Sequence, residues 1–372
     1  MGARPIAALC VTAHPDRPEA ETFIGLTERG FDLRVLCEPA AQNYARLEAS
    51  GVDVRPFTIS RRLDLAAIRT LRSQLESMRP DILHLFNNRA VLNGLQAARG
   101  QAVKVVVYRG NVGNVSVLDP LSWLRYLNPR IDRIVCVADA VRDSLAAVGF
   151  ASLRIPRWKL VTIRKGHDLA WYTASALALD GYGVPPDAYV VGCVANWRPR
   201  KGIDVLLDAC ERLPQRCPVH VVLVGNMANV KLERRIAASS LASRIHVLGH
   251  RLDVPAVTSS FDVAVLPAIK REGLPKTVIE AMACGVATVA TRVGGVAEII
   301  EDGRNGLIVP PGDPQALAQA LLRLHDQPDL RAALGRAGRE RIGSALRVED
   351  TIARTAALYE DLVGAAGPSS AA

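Results

Sequence analysis

Short apolar runs alternate with amphipathic stretches along most of the chain. In the first half the runs are IAALCVTA, FDLRVLCE, DILHLF, VKVVVYR, RIVCV and LVTIRKG, separated by helix-period segments such as LDLAAIRTLRSQLESM and AVRDSLAAVG. Strands of a parallel sheet are covered by helices on both faces and so read as nearly continuous apolar runs; the alternation predicts such a sheet. The pattern pauses over HDLAWYTASALALDGYGVPPDA and resumes with YVVGCVA, HVVLVGN, RIHVLG, DVAVLP and VATVAT. Two doubly wound, Rossmann-like α/β domains are therefore predicted, over residues 1–166 and 188–345, with a linker over 167–187. From Pro314 to about Val363 the period is helical, with interruptions at Gln327-Pro328 and Gly343. A terminal helix over about 346–365 is expected to pack back on the first domain, and residues 366–372 (AGPSSAA) to be disordered. Ligands of open parallel sheets bind beyond the carboxyl ends of the strands, so function is expected in a cleft between the two domains.

Composition adds little to that picture but excludes some classes. With 49% hydrophobic and 22% charged residues over 372 positions, the chain has the make-up of a globular protein. Its seven cysteines form no CxxC pair and most lie in apolar runs, which points to a reducing cytoplasm. The opening run IAALCVTA is short and leads into HPDRPEAE, so it reads as a first strand rather than a signal peptide. No stretch approaches the roughly 20 apolar residues that a spanning helix needs. The excess of 46 Lys plus Arg over 37 Asp plus Glu favours anionic partners. These charges are spread out and aromatics are only 5%, which argues against a nucleic-acid binder.

The chemistry concentrates in KREGLPKTVIEAMACGVATVATRVGGVAEIIEDGRNGLIVPPGD. Pro275 suits a first helical position and Gly285 a C-terminal stop, so a short helix is predicted from about Pro275 to Cys284, following the strand DVAVLP. Its free N-terminal amides, the helix dipole and Lys276 in the first turn form a phosphate site. Glu280 has apolar sequence neighbours, and its carboxylate needs hydrogen-bond donors such as a ribose diol. Glu272, closer to the strand end, is positioned for the hydroxyls of a sugar on the diphosphate.

This stretch resembles the retaining glycosyltransferases of family 4, which have the two-domain GT-B fold. Their EGxxxxxxEAMAxG motif is matched by Glu272 to Gly285, their Gly-Gly-x-x-Glu turn by Gly294-Gly295 and Glu298, and their NGxLVxPGD segment by Asn305 to Asp313. The resemblance implies transfer of a sugar from a nucleoside diphosphate sugar to a glycan, lipid-linked or small-molecule hydroxyl, with retention, in cell-envelope polysaccharide or lipopolysaccharide biosynthesis. The first domain would then bind the acceptor and the second the donor. It also implies that Glu272 contacts the donor sugar, that the amides near Gly273 and Leu274 contact sugar and phosphate, and that Glu280 holds the ribose. The two glutamates are thus donor clamps, not the acid and nucleophile of a glycosidase. No cofactor and no metal are called for.

Other positions carry over unevenly. After YVVGCVA, the turn ANWRPRKG brings Arg198, Arg200 and Lys201 to a strand end, where cations neutralise a diphosphate leaving group. Lys201 matches the family's lysine; the family's arginine position is Asn196, and Arg198 is the chosen substitute ahead of Arg200. The family's opening GGxE segment is matched only at its end, by Glu21 and Thr22, with Glu19 and Ala20 in place of the glycines. Where the family places a histidine before glycine stands Arg109, suited to orienting an acceptor. His84, ending DILHLF, is a further acceptor-side candidate. In RRLDLAAIRTLRSQLESMRP, apolar Leu65, Ile68, Leu71, Leu75 and Met78 recur at helical spacing amid arginines. Such a stripe packs a core beneath a solvated face, while its basic flank fits peripheral contact with an anionic membrane at the inner face of the plasma membrane. The alternatives are a GT-B epimerase or phosphorylase and a non-catalytic sugar-binding module.

Overall fold

The computed structural model describes residues 4–149 and 154–364, and the expectation of disorder over 366–372 lies outside them. The chain divides into two compact units, one running to Gly166 and resuming at Arg347, the other spanning His167–Leu346.

The first unit is a seven-stranded, all-parallel sheet in the order β3-β2-β1-β4-β5-β6-β7. Its strands are β1 (Ala7–Val11), β2 (Asp32–Cys37), β3 (Asp53–Pro56), β4 (Ile82–Leu85), β5 (Lys104–Arg109), β6 (Arg133–Cys136) and β7 (Leu160–Thr162). The order reverses between β1 and β4, the switch point at which open α/β sheets bind ligands. The helix Arg17–Glu28 begins there, with the Asp16 carboxylate accepting from the Glu19 amide. Its Phe23 and Leu26 pack on β1 and β2. The helix Val348–Gly364 completes this unit: Thr351 Oγ1 accepts from Gly166 N (2.7 Å) and donates to Arg164 O (2.8 Å), and Tyr359 is wholly buried. The predicted amphipathic helix is Leu65–Met78, with Leu71 and Leu75 buried as its stripe requires and Leu65 left 66% exposed.

The second unit is a six-stranded parallel sheet in the order β10-β9-β8-β11-β12-β13. It comprises β8 (Tyr189–Val194), β9 (Val219–Val224), β10 (Ile245–Gly249), β11 (Val263–Leu266), β12 (Ala287–Thr291) and β13 (Leu307–Val309). The stretch expected to be a linker, 167–187, packs on this unit. Leu179 and Val184 join a core with Val190, Val222 and Phe261, and Leu177 N donates to Ala256 O (3.0 Å). Its Gly and Pro residues shape turns of a packed segment rather than a free connector. The helical tail breaks at Gln327 as expected, giving Pro314–Asp326 and Pro328–Ala345, yet Gly343 does not interrupt the second helix. A Cβ there would come within 2.8 Å of Leu169 Cδ1, so this glycine serves close packing. All seven cysteines are unpaired and six are buried, where they act as small hydrophobes.

Candidate functional site

In the second unit the switch point lies between β8 and β11, and the loops after these two strands are bound together. Gly202 takes φ +67°, and a Cβ on it would lie 2.0 Å from Pro267 O, so only glycine permits this approach. Ile269 N donates to Arg200 O (2.8 Å) across the same junction. The consequence is a charge cluster. Lys201 Nζ stands 2.8 Å and Arg200 Nη1 3.2 Å from Glu272 Oε1, while the Glu272 side chain is only 7% exposed. Arg198 is exposed and makes no ion pair among the described residues. Of the two arginines weighed in the sequence, it is Arg200 that the 3-10 turn Pro199–Lys201 brings with Lys201 to Glu272.

Beyond Glu272 the backbone is pinned. Gly295 N donates to Gly273 O (2.7 Å), and Gly294 at φ +52° lies so close that a Cβ would meet Glu272 O at 2.0 Å. Gly273, Leu274 and Pro275 are buried, and Pro275 begins the helix Lys276–Ala283 without a side-chain cap. The amides of Lys276 and Thr277 face no side-chain cap and suit an anion, while that of Val278 already donates to Pro275 O (3.1 Å). Lys276, half exposed, pairs with Glu280 at 3.3 Å, the i,i+4 relation that helical spacing dictates. Glu280 is 12% exposed at its side chain, so its carboxylate, like that of Glu272, is held largely out of water.

A pocket of about 750 Å³ lies over the carboxyl ends of β8, β9 and β10. Met227, Leu232, Ile236 and Leu248 supply apolar walls, and Asn196 and Asn226 supply polar groups. Asn196, the position where an arginine is missing, serves the backbone instead, since its Oδ1 accepts from Asn226 N (2.9 Å) and fixes the β9 loop. The signal for this pocket in the sequence is Gly225-Asn226 directly after β9, a pair that sequence reasoning places at a strand end without giving it a role. Among the described residues no group of three or more His, Cys, Asp or Glu is arranged to hold a metal ion.

The acceptor-side candidates in the first unit are less available. Arg109 is 6% exposed, donates to Asn111 O (2.9 Å) and to Gly113 O, and lies over the Tyr126 ring at 4.6 Å. It therefore clamps its own loop. His84 is 2% exposed, with Nδ1 2.7 Å from Tyr359 Oη and Nε2 lacking a partner among the described residues. Burial pushes it down to about 3, so it is a neutral interior ring. Glu21 is 17% exposed at its side chain and pairs with Arg46 at 2.5 Å. The group that sequence reasoning missed is Lys165, which lies 2.9 Å from Asp16 and 2.8 Å from Glu19.

Two family models match the chain: "Glycosyl transferase 4-like domain" over residues 20–166 and "Glycosyl transferases group 1" over 188–327. A D-inositol 3-phosphate glycosyltransferase of Salinispora arenicola is 30% identical over 57% of this chain and 52% of its own length. The chain thus spans about half the length of that curated relative. A phosphatidyl-myo-inositol mannosyltransferase of Mycolicibacterium smegmatis is 29% identical over 70% of this chain and 66% of its own. The structure of Anabaena HepE in complex with UDP-glucose superposes with a TM-score of 0.77 at 20% identity, covering 95% of this chain and all of that one.

Proposed function

The chain belongs to the group 1 glycosyl transferases of the GT-B fold, and on that premise we propose that it transfers a sugar from a nucleoside diphosphate sugar to a hydroxyl acceptor. The observation that carries this reading is the cluster of Lys201 and Arg200 on the buried Glu272, next to the uncapped helix at Pro275. In this reading the diphosphate lies against Lys201, Arg200 and the amides of that helix, and Glu280 binds the ribose. Glu272 and the amides of Gly273 and Leu274 bind the sugar, and the nucleoside fills the pocket beside Asn196. Arg200 takes the role that sequence alone gives to Arg198.

When the bond from the anomeric carbon to the β-phosphate oxygen breaks, the leaving group gains negative charge, which two cations and a helix N-terminus stabilise without a metal. The acceptor oxygen forms its bond on the same face of the sugar, and its proton passes to the departing phosphate, which gives retention. The relatives act on inositol phosphate and on a phosphoinositide; here a glycan or lipid-linked acceptor of the cell envelope is proposed, bound by the first unit on the cytoplasmic side. Among the described residues no helix is long and apolar enough to cross a membrane.

The test is a screen of UDP-, GDP-, ADP- and dTDP-sugars by thermal shift, followed by transfer assays. Lys201→Ala should lower kcat by about 100-fold or more, and Glu280→Ala should raise the donor KM. NMR of the product gives its anomeric configuration, and chelation should leave the rate unchanged. Wild-type transfer in both variants would remove these roles, and sugar release that needs no acceptor would point to another reaction.

A further inference from the structure

We infer that Glu272 changes partners during each turnover, from the cations Lys201 and Arg200 to the hydroxyls of the donor sugar, and that this exchange favours release of the nucleoside diphosphate product. The inference rests on the donor reading above. Its basis is a difference in exposure: Glu272 is 7% exposed, whereas Lys201 and Arg200, which hold it, are 18% and 26% exposed. The cations thus have one side turned to solvent and the other on a carboxylate beneath. Glu272 itself is poorly placed to leave. Its carbonyl abuts Gly294, the next residue accepts from Gly295, and Arg271 before it is held at φ +65° with its carbonyl accepting from Arg200 Nη1 (3.3 Å).

A diphosphate arriving on Lys201 and Arg200 competes with Glu272 for the same two cations. A buried carboxylate that loses its donors is destabilising, and more so beside a second anion. Sugar hydroxyls are donors, and an intact nucleotide sugar brings them with it, so the loss is offset in the donor complex. The nucleoside diphosphate left after transfer carries no sugar. Glu272 then stands next to the product's diphosphate with cations divided between two anions, and the product is held less tightly than its phosphate contacts alone would allow. Glu272 is in this sense a device that separates donor from product, in addition to any contact it makes with the sugar.

The experiment measures the affinities of UDP, GDP, UDP-glucose and GDP-mannose for the wild-type chain and Glu272→Gln by calorimetry. A glutamine keeps the shape and removes the charge. The diphosphate that binds the wild type should bind Glu272→Gln about tenfold tighter, while the matching sugar nucleotide should gain nothing or weaken. Adding Lys201→Gln to that variant should abolish the gain. A second measurement needs no variant: free glucose or mannose should tighten diphosphate binding to the wild type, because its hydroxyls reach the same carboxylate. Equal or weaker diphosphate binding by a folded Glu272→Gln overturns the exchange and leaves the donor reading standing. Should that variant not fold, absence of coupling between free sugar and diphosphate overturns it. If none of UDP, GDP, ADP and dTDP binds the wild type, the donor reading falls as well.

Discussion

Lys165, at the end of the last strand of the first unit, places its Nζ 2.8 Å from Glu19 Oε2 at the start of the first helix, and Asp16 completes the group at 2.9 Å. Burial alone would favour the neutral amine, but Asp16 and Glu19 hold Lys165 well above its ordinary value, so it stays charged. Burial, with help from the charge of Asp16, pushes Glu19 above the usual carboxylate range against the pull of Lys165. Removing the lysine strands two acids around a largely enclosed site. Lys165→Met should therefore destabilise the first unit by about 3–5 kcal/mol, and adding Glu19→Gln should restore much of that. Urea unfolding followed by circular dichroism checks this, with equal stability of Lys165→Met and wild type as the contrary result.

His84 makes a prediction about acid. Its folded value, lowered to about 3 by burial, lies below the ordinary value of 6.5, so the unfolded chain binds the proton first as pH falls. Stability from the neutral ring is complete above 6.5 and is lost toward 3, at about 1.4 kcal/mol per pH unit. Glu19, raised by burial, acts in the opposite sense above 4.5. The comparison must therefore be between variants: His84→Gln should be less stable than wild type at pH 7 but should lose less on going to pH 5. Parallel losses in urea melts at the two pH values would contradict the assignment.

The strand runs reveal both sheets because fully buried parallel strands have little else to be, and the segment around Glu272 and Glu280 reveals its short helix because recognisable residues bound it. What stays hidden is contact between distant segments. Glu19 and Lys165 are far apart in sequence, and nothing local marks either as half of a pair. Arg109 and His84 end strands as catalytic groups often do, but which side of a strand end faces solvent depends on the helix above it. Here Tyr126 and Tyr359 cover them. Arg200, not Arg198, meets Glu272 for a similar reason, since a single 3-10 turn separates the two arginines.

Gly294 tests the rigidity of the donor loop. A methyl group there would meet Glu272 O at 2.0 Å, at a φ of +52° that side chains rarely adopt. Gly294→Ala must push the 272–274 backbone away and with it the carboxylate from Lys201. A loss of about 2–4 kcal/mol in stability is expected, with donor affinity reduced more than about tenfold. Thermal melts and calorimetry on the same preparation report both, and unchanged donor binding would mean that the loop adapts.

The last prediction concerns the surface of the first unit. Leu63 and Leu65, just before and at the start of the helix Leu65–Met78, are 53% and 66% exposed, and Leu118 and Trp123, before and in the short helix Pro120–Trp123, are 88% and 37% exposed. Both segments are tied to the helix Asn88–Ala97. Asn93 accepts from Asp64 N (2.8 Å) on one side, and Asn88 accepts from Tyr126 Oη (2.9 Å) on the other. The exposed arginines Arg61, Arg62, Arg69 and Arg89 lie on the same elements. Exposed apolar side chains on segments that also carry exposed arginines suit the boundary of an anionic bilayer, where the apolar groups enter and each cation near the surface contributes about 1 kcal/mol. Leu65→Ser with Leu118→Ser should cut flotation with vesicles containing phosphatidylglycerol. Neither leucine packs in the core, so folding should be unaffected. High salt should weaken the wild type's binding, because the cations are screened. Equal binding to neutral and anionic vesicles would remove the electrostatic half of the argument, and equal flotation of the double variant would remove the apolar half.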